Sequence, residues 1–430
     1  MRKIKLGDIL DVKRGASLSG EFYAEQGEQI RLTLGNFNYP AGGFKENTSK
    51  TNIFFTGEVK QEFILKKGDI ITPLTEQVSG LLGETARIPE DNKYIQSGDV
   101  GLVIPNENLV DNSFVYYLIS SPVVKKQLDA AAQQTKIRHT SPEKIKDCEV
   151  WLPNIRHQKF TGELLDAING KIKNNNKIIA ELESMAKTIY DYWFLQFEFP
   201  NEDGKPYKSS GGRMIWNEEL KREIPEKWRI DLLGNLFTSN RGISYNSKTI
   251  EGNGVPMINL ASFNIDGSYK EEGIKVYSGD YSAEKVVKPF DLLMCNTQQT
   301  AIDYKKDIIG KAFLVPDIFD RDIVTSHHVT TIQVKKDNMK YFLHRLFNTD
   351  YFHKYAAGFT NGTNILGLIF SGVERYKLEI PDNIVLDKFA RLMLDIEMKK
   401  SKILKENQEL ISLRDFLLPL LMNGQIGFKE

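Results

Sequence analysis

The first half of this chain is written a second time in its second half. Leu6-Gly7-Asp8-Ile9 through Arg14-Gly15-Ala16-Ser17 returns as Leu233-Gly234-Asn235-Leu236 through Arg241-Gly242-Ile243-Ser244. Later echoes hold nearly that spacing: Leu34 with Phe37-Asn38 against Leu260 with Phe263-Asn264, Gly68-Asp69-Ile70-Ile71 against Phe290-Asp291-Leu292-Leu293, and Trp151-Leu152-Pro153 against Glu379-Ile380-Pro381. Solenoid repeats run to tens of residues, so a period this long marks a duplicated domain. The skeleton recurs while the loops differ: Thr75-Glu76-Gln77-Val78-Ser79 stands where the second copy has Asn296-Thr297-Gln298-Gln299-Thr300. Two related surfaces with different contents suit a chain that reads two different things at a fixed separation.

Size leaves room for this, because 430 residues at 41% hydrophobic and 27% charged make ample core for several globular domains. Equal numbers of basic and acidic side chains, 57 of each, argue against nucleic-acid binding through bulk charge and leave the task to local patches. Cys148 and Cys295 are too few for a disulfide framework or a zinc site, which fits a reducing cytosol. The opening Met1-Arg2-Lys3-Ile4-Lys5-Leu6-Gly7-Asp8 has no apolar signal core, and no stretch nears the roughly 20 apolar residues of a membrane span. A cytoplasmic location is expected.

Each copy divides into a β-rich front and a helical back. Short runs such as Phe63-Ile64-Leu65, Asp69-Ile70-Ile71, Val100-Gly101-Leu102-Val103-Ile104 and Glu149-Val150-Trp151-Leu152 are bounded by Gly, Pro and Asn, as strands and turns are. Helical runs interrupt them around Asn112 to Ala132 and Met339 to Ala357. The fronts are therefore expected to be α+β, each a small twisted sheet or barrel carrying helices. In the back, Leu165, Ile168, Ile172, Asn175, Ile179, Leu182, Ala186, Ile189 and Trp193 alternate steps of three and four, the seam of a coiled coil. The second copy gives Phe389, Leu392, Ile396, Lys399, Ile403, Glu406, Leu410, Leu413, Leu417 and Leu420, with Lys399 and Glu406 as polar interruptions. Two such helices bury their stripes most economically against each other, and a pseudo-twofold relation between the copies makes that pairing antiparallel. The expected order is a first front domain over 1–153, a long helix over 154–197, a polar linker over 198–228, a second front domain over 229–381, and a second long helix with its tail over 382–430.

Specific phrases then carry a family likeness. Gly211-Gly212-Arg213-Met214-Ile215-Trp216, leading to Ile224-Pro225-Glu226-Lys227-Trp228 and Leu233-Gly234, resembles the junction before the second target-recognition domain in specificity subunits of type I restriction-modification systems. Gly68-Asp69-Ile70-Ile71, Leu152-Pro153 ahead of Gln158-Lys159-Phe160, and Gly362-Thr363-Asn364 with Ile380-Pro381 are similar to that family's recurrent framework. The likeness spans essentially the whole chain. One departure is that Ile155-Arg156-His157-Gln158 lacks the acidic residue that usually precedes the glutamine, and Leu386-Asp387-Lys388 lacks the glutamine itself.

The resemblance implies a DNA-binding specificity factor. Each front domain would read one half of a bipartite, asymmetric site on double-stranded DNA, while the helices set the spacing and dock two modification (methyltransferase) subunits. Restriction subunits with translocase and nuclease activity would be further partners. S-adenosylmethionine would be held by the methyltransferase partners, and this chain would carry no cofactor, metal or catalytic residue. The sequence agrees by omission, with no Asn-Pro-Pro-Tyr or Asp-Pro-Pro-Tyr motif and no phosphate-binding Gly-x-x-x-x-Gly-Lys-Ser/Thr loop. Two other functions compete: a coiled-coil scaffold whose fronts bind proteins, and a divergent DNA methyltransferase.

Candidate DNA contacts follow from chemistry, since Arg, Lys, Asn and Gln reach base edges while Lys, Arg, Ser, Thr and amides hold phosphates. In the first domain these are Lys13 and Arg14, Gln77, and Gln134, Lys136 and Arg138 in three polar loops; in the second they are Arg241 and Tyr245, Gln298 and Gln299, and Asn361. The plain alternative for each is a solvated turn, and for the recurring Arg14 and Arg241 a buried ion pair. His327-His328, near Asp320 and Asp322, reads more readily as one core and one surface residue on opposite faces of a strand than as a metal site.

Overall fold

A computed structural model describes residues 2–39, 42–76, 80–131, 138–299, 306–363 and 365–426, and the side chain of Gln299 lies outside the description. The chain forms two units, Met1–Lys173 with Gln408–Glu430, and Asn174–Asn407. Each long helix contributes residues to both.

In the first unit an antiparallel sheet runs in the order Leu10–Arg14, Val100–Pro105, Ile70–Pro73, Ala86–Arg87. Alternation places Leu10 and Val12 inward and Asp11 and Lys13 outward. A second small sheet joins Tyr23–Ala24, Phe54–Phe55, Ile30–Arg31 and Tyr94–Ile95, the last two parallel. The helical run expected around Asn112 is two helices, Asn112–Ile119 and Pro122–Ala131, the first capped by Asp111, whose side chain accepts from the Phe114 amide. Phe114 and Leu118 pack with Leu6, Val12, Ile70, Val150 and Leu165 in one core, so the first long helix, Ile155–Tyr190, is anchored on its own front domain.

The second unit repeats this plan. Its main sheet runs Phe237–Arg241, Val329–Val334, Leu292–Cys295, Ala312–Leu314, and its second sheet joins Lys275–Tyr277, Val255–Ile258, Ile323–Thr325 and Val286–Val287, again with one parallel pair. The helix pair is Met339–Phe347 and Asp350–Ala357, the latter capped by Thr349. These are open sheets rather than a barrel. The stretch expected as a polar linker is largely folded: Met214–Asn217 pairs with Arg222–Pro225, and Phe197, Phe199 and Trp228 are buried against one another. The first long helix closes in a wide turn, with Gln196 donating to Asp191 O, and sends Tyr190 and Phe194 into a cluster with Phe342 and Phe389.

The second long helix, Asn383–Met422, buries a different stripe from the one its pattern suggests. Phe389, Ile396 and Ile403 are buried as expected, but their partners in the stripe are Met393, Lys400 and Asn407, while Leu392, Lys399 and Leu413 are exposed. Steps of three-then-four and four-then-three share Phe389, Ile396 and Ile403, so apolarity alone cannot choose between the phases. Charge pairing decides. Within the second unit Lys400 donates to Glu183 at 2.7 Å and Glu397 at 2.9 Å, and Arg345 from the helix Met339–Phe347 pairs with both carboxylates. Two cations and two anions close on one another, which makes the partial burial of Lys400 tolerable. Asn175 is buried and donates to Glu406 Oε2 at 2.8 Å and Asn407 Oδ1 at 2.9 Å; Asn407 donates in turn to Asn176 at 2.8 Å. Residue 175 meeting 407 and residue 183 meeting 400 set the helices antiparallel within this unit. In the first unit residue 157 meets 421 and residue 169 meets 414, again antiparallel.

Both cysteines are buried, with burial pushing the Cys148 thiol up to about 11 and the Cys295 thiol to about 12, so neither is a nucleophile at neutral pH. Among the described residues no helix is long and apolar enough to cross a membrane.

Candidate nucleic-acid interface

The repeated Arg-Gly phrase ends the first strand of the main sheet in each unit. Arg14 stands opposite Gly101 and Arg241 opposite Thr330; beyond them the chain makes parallel bridges, Ala16 with Ser97 and Ile243 with Ser326. The glycine is required by close approach: a Cβ on Gly15 would lie 2.3 Å from Ser97 O, and one on Gly242 2.2 Å from Ser326 O. The arginines recur because the strand does. Both are exposed, which rules out the buried ion pair, and Arg241 donates Nε–H to His327 O at 2.8 Å.

The other polar segments are drawn together beside this point. Thr75–Glu76 pairs with Arg138–His139; in the second unit Thr297–Gln299 pairs with Ile365–Leu368, which pairs with Thr360–Asn361. Matching backbone bonds align the copies. Leu74 N donates to Asp99 O at 2.8 Å and Thr140 N to Leu74 O at 2.9 Å, as Asn296 N donates to His328 O at 3.0 Å and Leu368 N to Asn296 O at 2.9 Å. Leu74 therefore corresponds to Asn296, one position from the alignment the sequence suggests, and Glu76 to Gln298. Their chemistry differs. Glu76 is buried, accepting from the Leu82 amide at 3.0 Å and pairing with Arg138 at 2.9 Å, while Gln298 is half-buried at the edge of its sheet. Arg138 also reaches Asp129 at 2.6 Å, so its guanidinium braces this corner. Lys13 is exposed, and its carbonyl accepts from buried Gln96 at 2.7 Å. Asn361 is exposed in its strand, and Gln299 pairs with Ile365 through its backbone. Gln77, Gln134 and Lys136 lie outside the described residues.

His327 and His328 occupy the turn between Ile323–Thr325 and Val329–Val334, not a strand, so the rings do not point to opposite faces. Their centroids lie 3.8 Å apart, with Tyr245 at 5.6 Å from His327 and 6.5 Å from His328. Thr297 Oγ1 is 2.7 Å from His328 Nδ1. Lys275 Nζ donates to Tyr245 Oη at 3.2 Å and lies 5.0 Å from its ring, while Lys285 donates to Asn240 Oδ1 at 2.8 Å and to Arg241 O at 2.7 Å. None of Arg241, Lys275 and Lys285 pairs with a carboxylate among the described residues. Burial, and then the neighbouring cations, hold both imidazoles below the usual histidine range, His328 at about 4. Each ring is therefore neutral at neutral pH, with one donor and one acceptor nitrogen. Among the described residues no three His, Cys, Asp or Glu side chains gather to hold a metal.

The structure places the sequence candidates Arg241, Tyr245 and Gln298 near Lys275, Lys285 and the histidine turn, which were not among those candidates. A signal was present. Aligning Ser97 with Ser326 sets Gly98-Asp99 against His327-His328, a difference in content beside the repeated Arg-Gly.

Comparison with known proteins gives this arrangement a context. Residues 1–184 match the family described as "Type I restriction modification DNA specificity domain". The specificity subunit of the type I restriction enzyme MjaIX from Methanocaldococcus jannaschii is 23% identical over 332 residues, 76% of this chain and 72% of that one. That of HindI from Haemophilus influenzae is 19% identical over 418 residues, 84% of this chain and 87% of its own. The crystal structure of a type I restriction-modification S subunit from M. genitalium shares the fold, with a TM-score of 0.55 at 14% identity over 100% of this chain and 96% of that one. Over residues 1–184 the chain thus resembles the DNA specificity domain of type I restriction-modification systems, and along most of its length it is similar to their specificity subunits.

Proposed function

We propose that each unit reads one half of a bipartite, asymmetric site on double-stranded DNA, and that the two long helices form an antiparallel spacer that fixes the distance between the halves and docks two methyltransferase subunits. The observation that carries this reading is one scaffold with two contents: an exposed arginine, a glycine packed against a turn, and a polar strand pair recur in both units, while the side chains at the turn and strand differ. A duplicated reader of a single sequence would have no use for that difference.

The helix register supports the spacer. Asn175 meets Glu406 and Asn176 meets Asn407, and each pair joins residues 231 positions apart (406 minus 175, 407 minus 176). Tyr117 donates to Asp166 at 2.7 Å as Arg345 does to Glu397 at 2.9 Å, equivalent residues tying each front to its helix. Equivalent residues of the two long helices thus meet each other within the second unit.

In this reading the chain performs no chemistry: methyl transfer, with its S-adenosylmethionine, belongs to the methyltransferase partners and cleavage to restriction subunits. The test is methyl transfer from labelled S-adenosylmethionine to duplex DNA. The purified chain alone should leave DNA unlabelled, and adding the methyltransferase subunits should label it at a bipartite site. Turnover by the chain alone would contradict the proposal.

A further inference from the structure

We propose that the His327-His328 turn, its rings packed edge-tilted on each other, braced by Thr297 and Tyr245 and adjoined by Arg241, Lys275 and Lys285, is a base-reading element that sets the sequence of one DNA half-site, the three cations holding the adjoining phosphates. This inference rests on the two-reader function above and names the residues that give the second reader its content.

Three observations carry it. The turn occupies the place of Gly98-Asp99 in the other unit, fixed by equivalent bridges from Ser97 and Ser326, so the scaffold holds a variable dipeptide at one spot. The rings are held in place: His328 is bonded through Nδ1 to Thr297 at 2.7 Å, and His327 is packed between His328 and Tyr245. Side chains fixed before binding lose little entropy on reading a base. Arg241 reaches the turn through His327 O, Lys275 through the Tyr245 hydroxyl, and Lys285 adjoins Arg241 through its carbonyl, none with a carboxylate partner among the described residues. Unpaired cations of this kind suit phosphates, while a neutral ring offering one donor and one acceptor suits a base edge.

The chemistry of the rings fits that division. Neither Nε2 makes a hydrogen bond among the described residues, so each remains available to a base edge. Both imidazoles are uncharged near neutral pH, so they add directional hydrogen bonds rather than another phosphate contact. Asp99 in the other unit is an acceptor only and bears the opposite charge to the flanking cations, so an exchange between the two dipeptides changes the hydrogen-bonding pattern offered to DNA.

The test is selection from a library of random-sequence duplexes at one fixed salt concentration. The full chain, isolated with the subunits it assembles with, is compared with His327→Gln, His328→Gln, and the double exchange His327→Gly with His328→Asp. Glutamine keeps a donor and an acceptor at similar reach, so the single variants fold if the double exchange does not, as melting would show. Wild-type protein should enrich a bipartite sequence. Each glutamine variant should change or relax preference at one or two positions of one half-site, about tenfold at the affected base, with the other half untouched. Unchanged preferences in both glutamine variants would overturn the inference; so would a uniform loss of affinity with preferences intact, which marks a phosphate contact, or changes spread over both halves. If wild-type protein enriches no bipartite sequence, the two-reader function itself fails. A wild-type motif with silent histidine variants defeats this inference alone.

Discussion

Gly242 has no room for a side chain, whereas Gly98 has. A Cβ on Gly242 meets Ser326 O at 2.2 Å and Thr325 O at 2.4 Å, both backbone atoms; one on Gly98 meets nothing nearer than Ala16 O at 3.5 Å. Gly242→Ala should therefore cost about 1–3 kcal/mol through a forced shift of the His327 turn, lowering the Tm by several degrees at roughly 2–4 °C per kcal/mol. Gly98→Ala should melt as wild type does; equal losses from the two would show that close approach is not what fixes the glycine. The histidines make a second prediction. In the unfolded chain His328 takes a proton near its ordinary 6.5, but the folded protein withholds it until about 4, so this residue's contribution to stability is complete above 6.5 and is lost as pH falls toward 4. Buried His344 and half-buried His327 act in the same direction. Melting at stepped pH should show stability declining on acidification through this window, with a shallower decline in His328→Gln; an unchanged slope would contradict the assigned environment. At this scale the sequence was legible where a residue repeated, as for Arg14 and Arg241, and opaque where fold position decided, because a His-His pair placed on a strand points two ways and on this turn brings its rings together.

The long helices were legible as elements, because alternating steps of three and four over nine seam positions have few other readings. Their facing stripes were legible only in part. In the first helix the pattern chose the buried side, Leu165, Ile168, Asn175, Leu182 and Ala186; in the second the exposed Leu392 and Leu413 outweighed Met393 and Lys400, and the true stripe depended on partners distant in sequence. Glu397 is the clearest of these, buried between Arg345 at 2.9 Å and Lys400 at 2.9 Å. Glu397→Ala leaves buried Arg345 short of an anion and should cost about 3–5 kcal/mol, whereas Arg345→Met combined with Glu397→Leu removes one charge of each sign and should restore most of that loss. Chemical denaturation of the three proteins checks it. A double variant no better than Glu397→Ala would mean that shape at this junction, rather than charge balance, holds the helix in register. The fronts were less legible: their strands and helices could be picked out, but the pairing of Thr75 with His139 or Gln298 with Leu366 depends on contacts across tens of residues that no local pattern encodes.

At the scale of the molecule the repeat was the most legible feature of all, because duplication preserves the residues a scaffold needs and frees those it does not. The two units share sheet order, glycine contact and turn, and they differ in Glu76 against Gln298 and Gly98-Asp99 against His327-His328. What the sequence withheld was the alignment of the variable parts, displaced by one residue until backbone hydrogen bonds paired Leu74 with Asn296. If function follows that division, exchanging one front changes one half of what is read. The most direct measurement is the methylome of a cell carrying this chain with its methyltransferase partners, compared with a cell in which residues 229–381 are replaced by a recognition domain of different loop content. The account predicts a bipartite methylated motif in the first cell and, in the second, a motif with one half changed and the other half and the spacer preserved. A motif altered in both halves, or one untouched by the exchange, would contradict it.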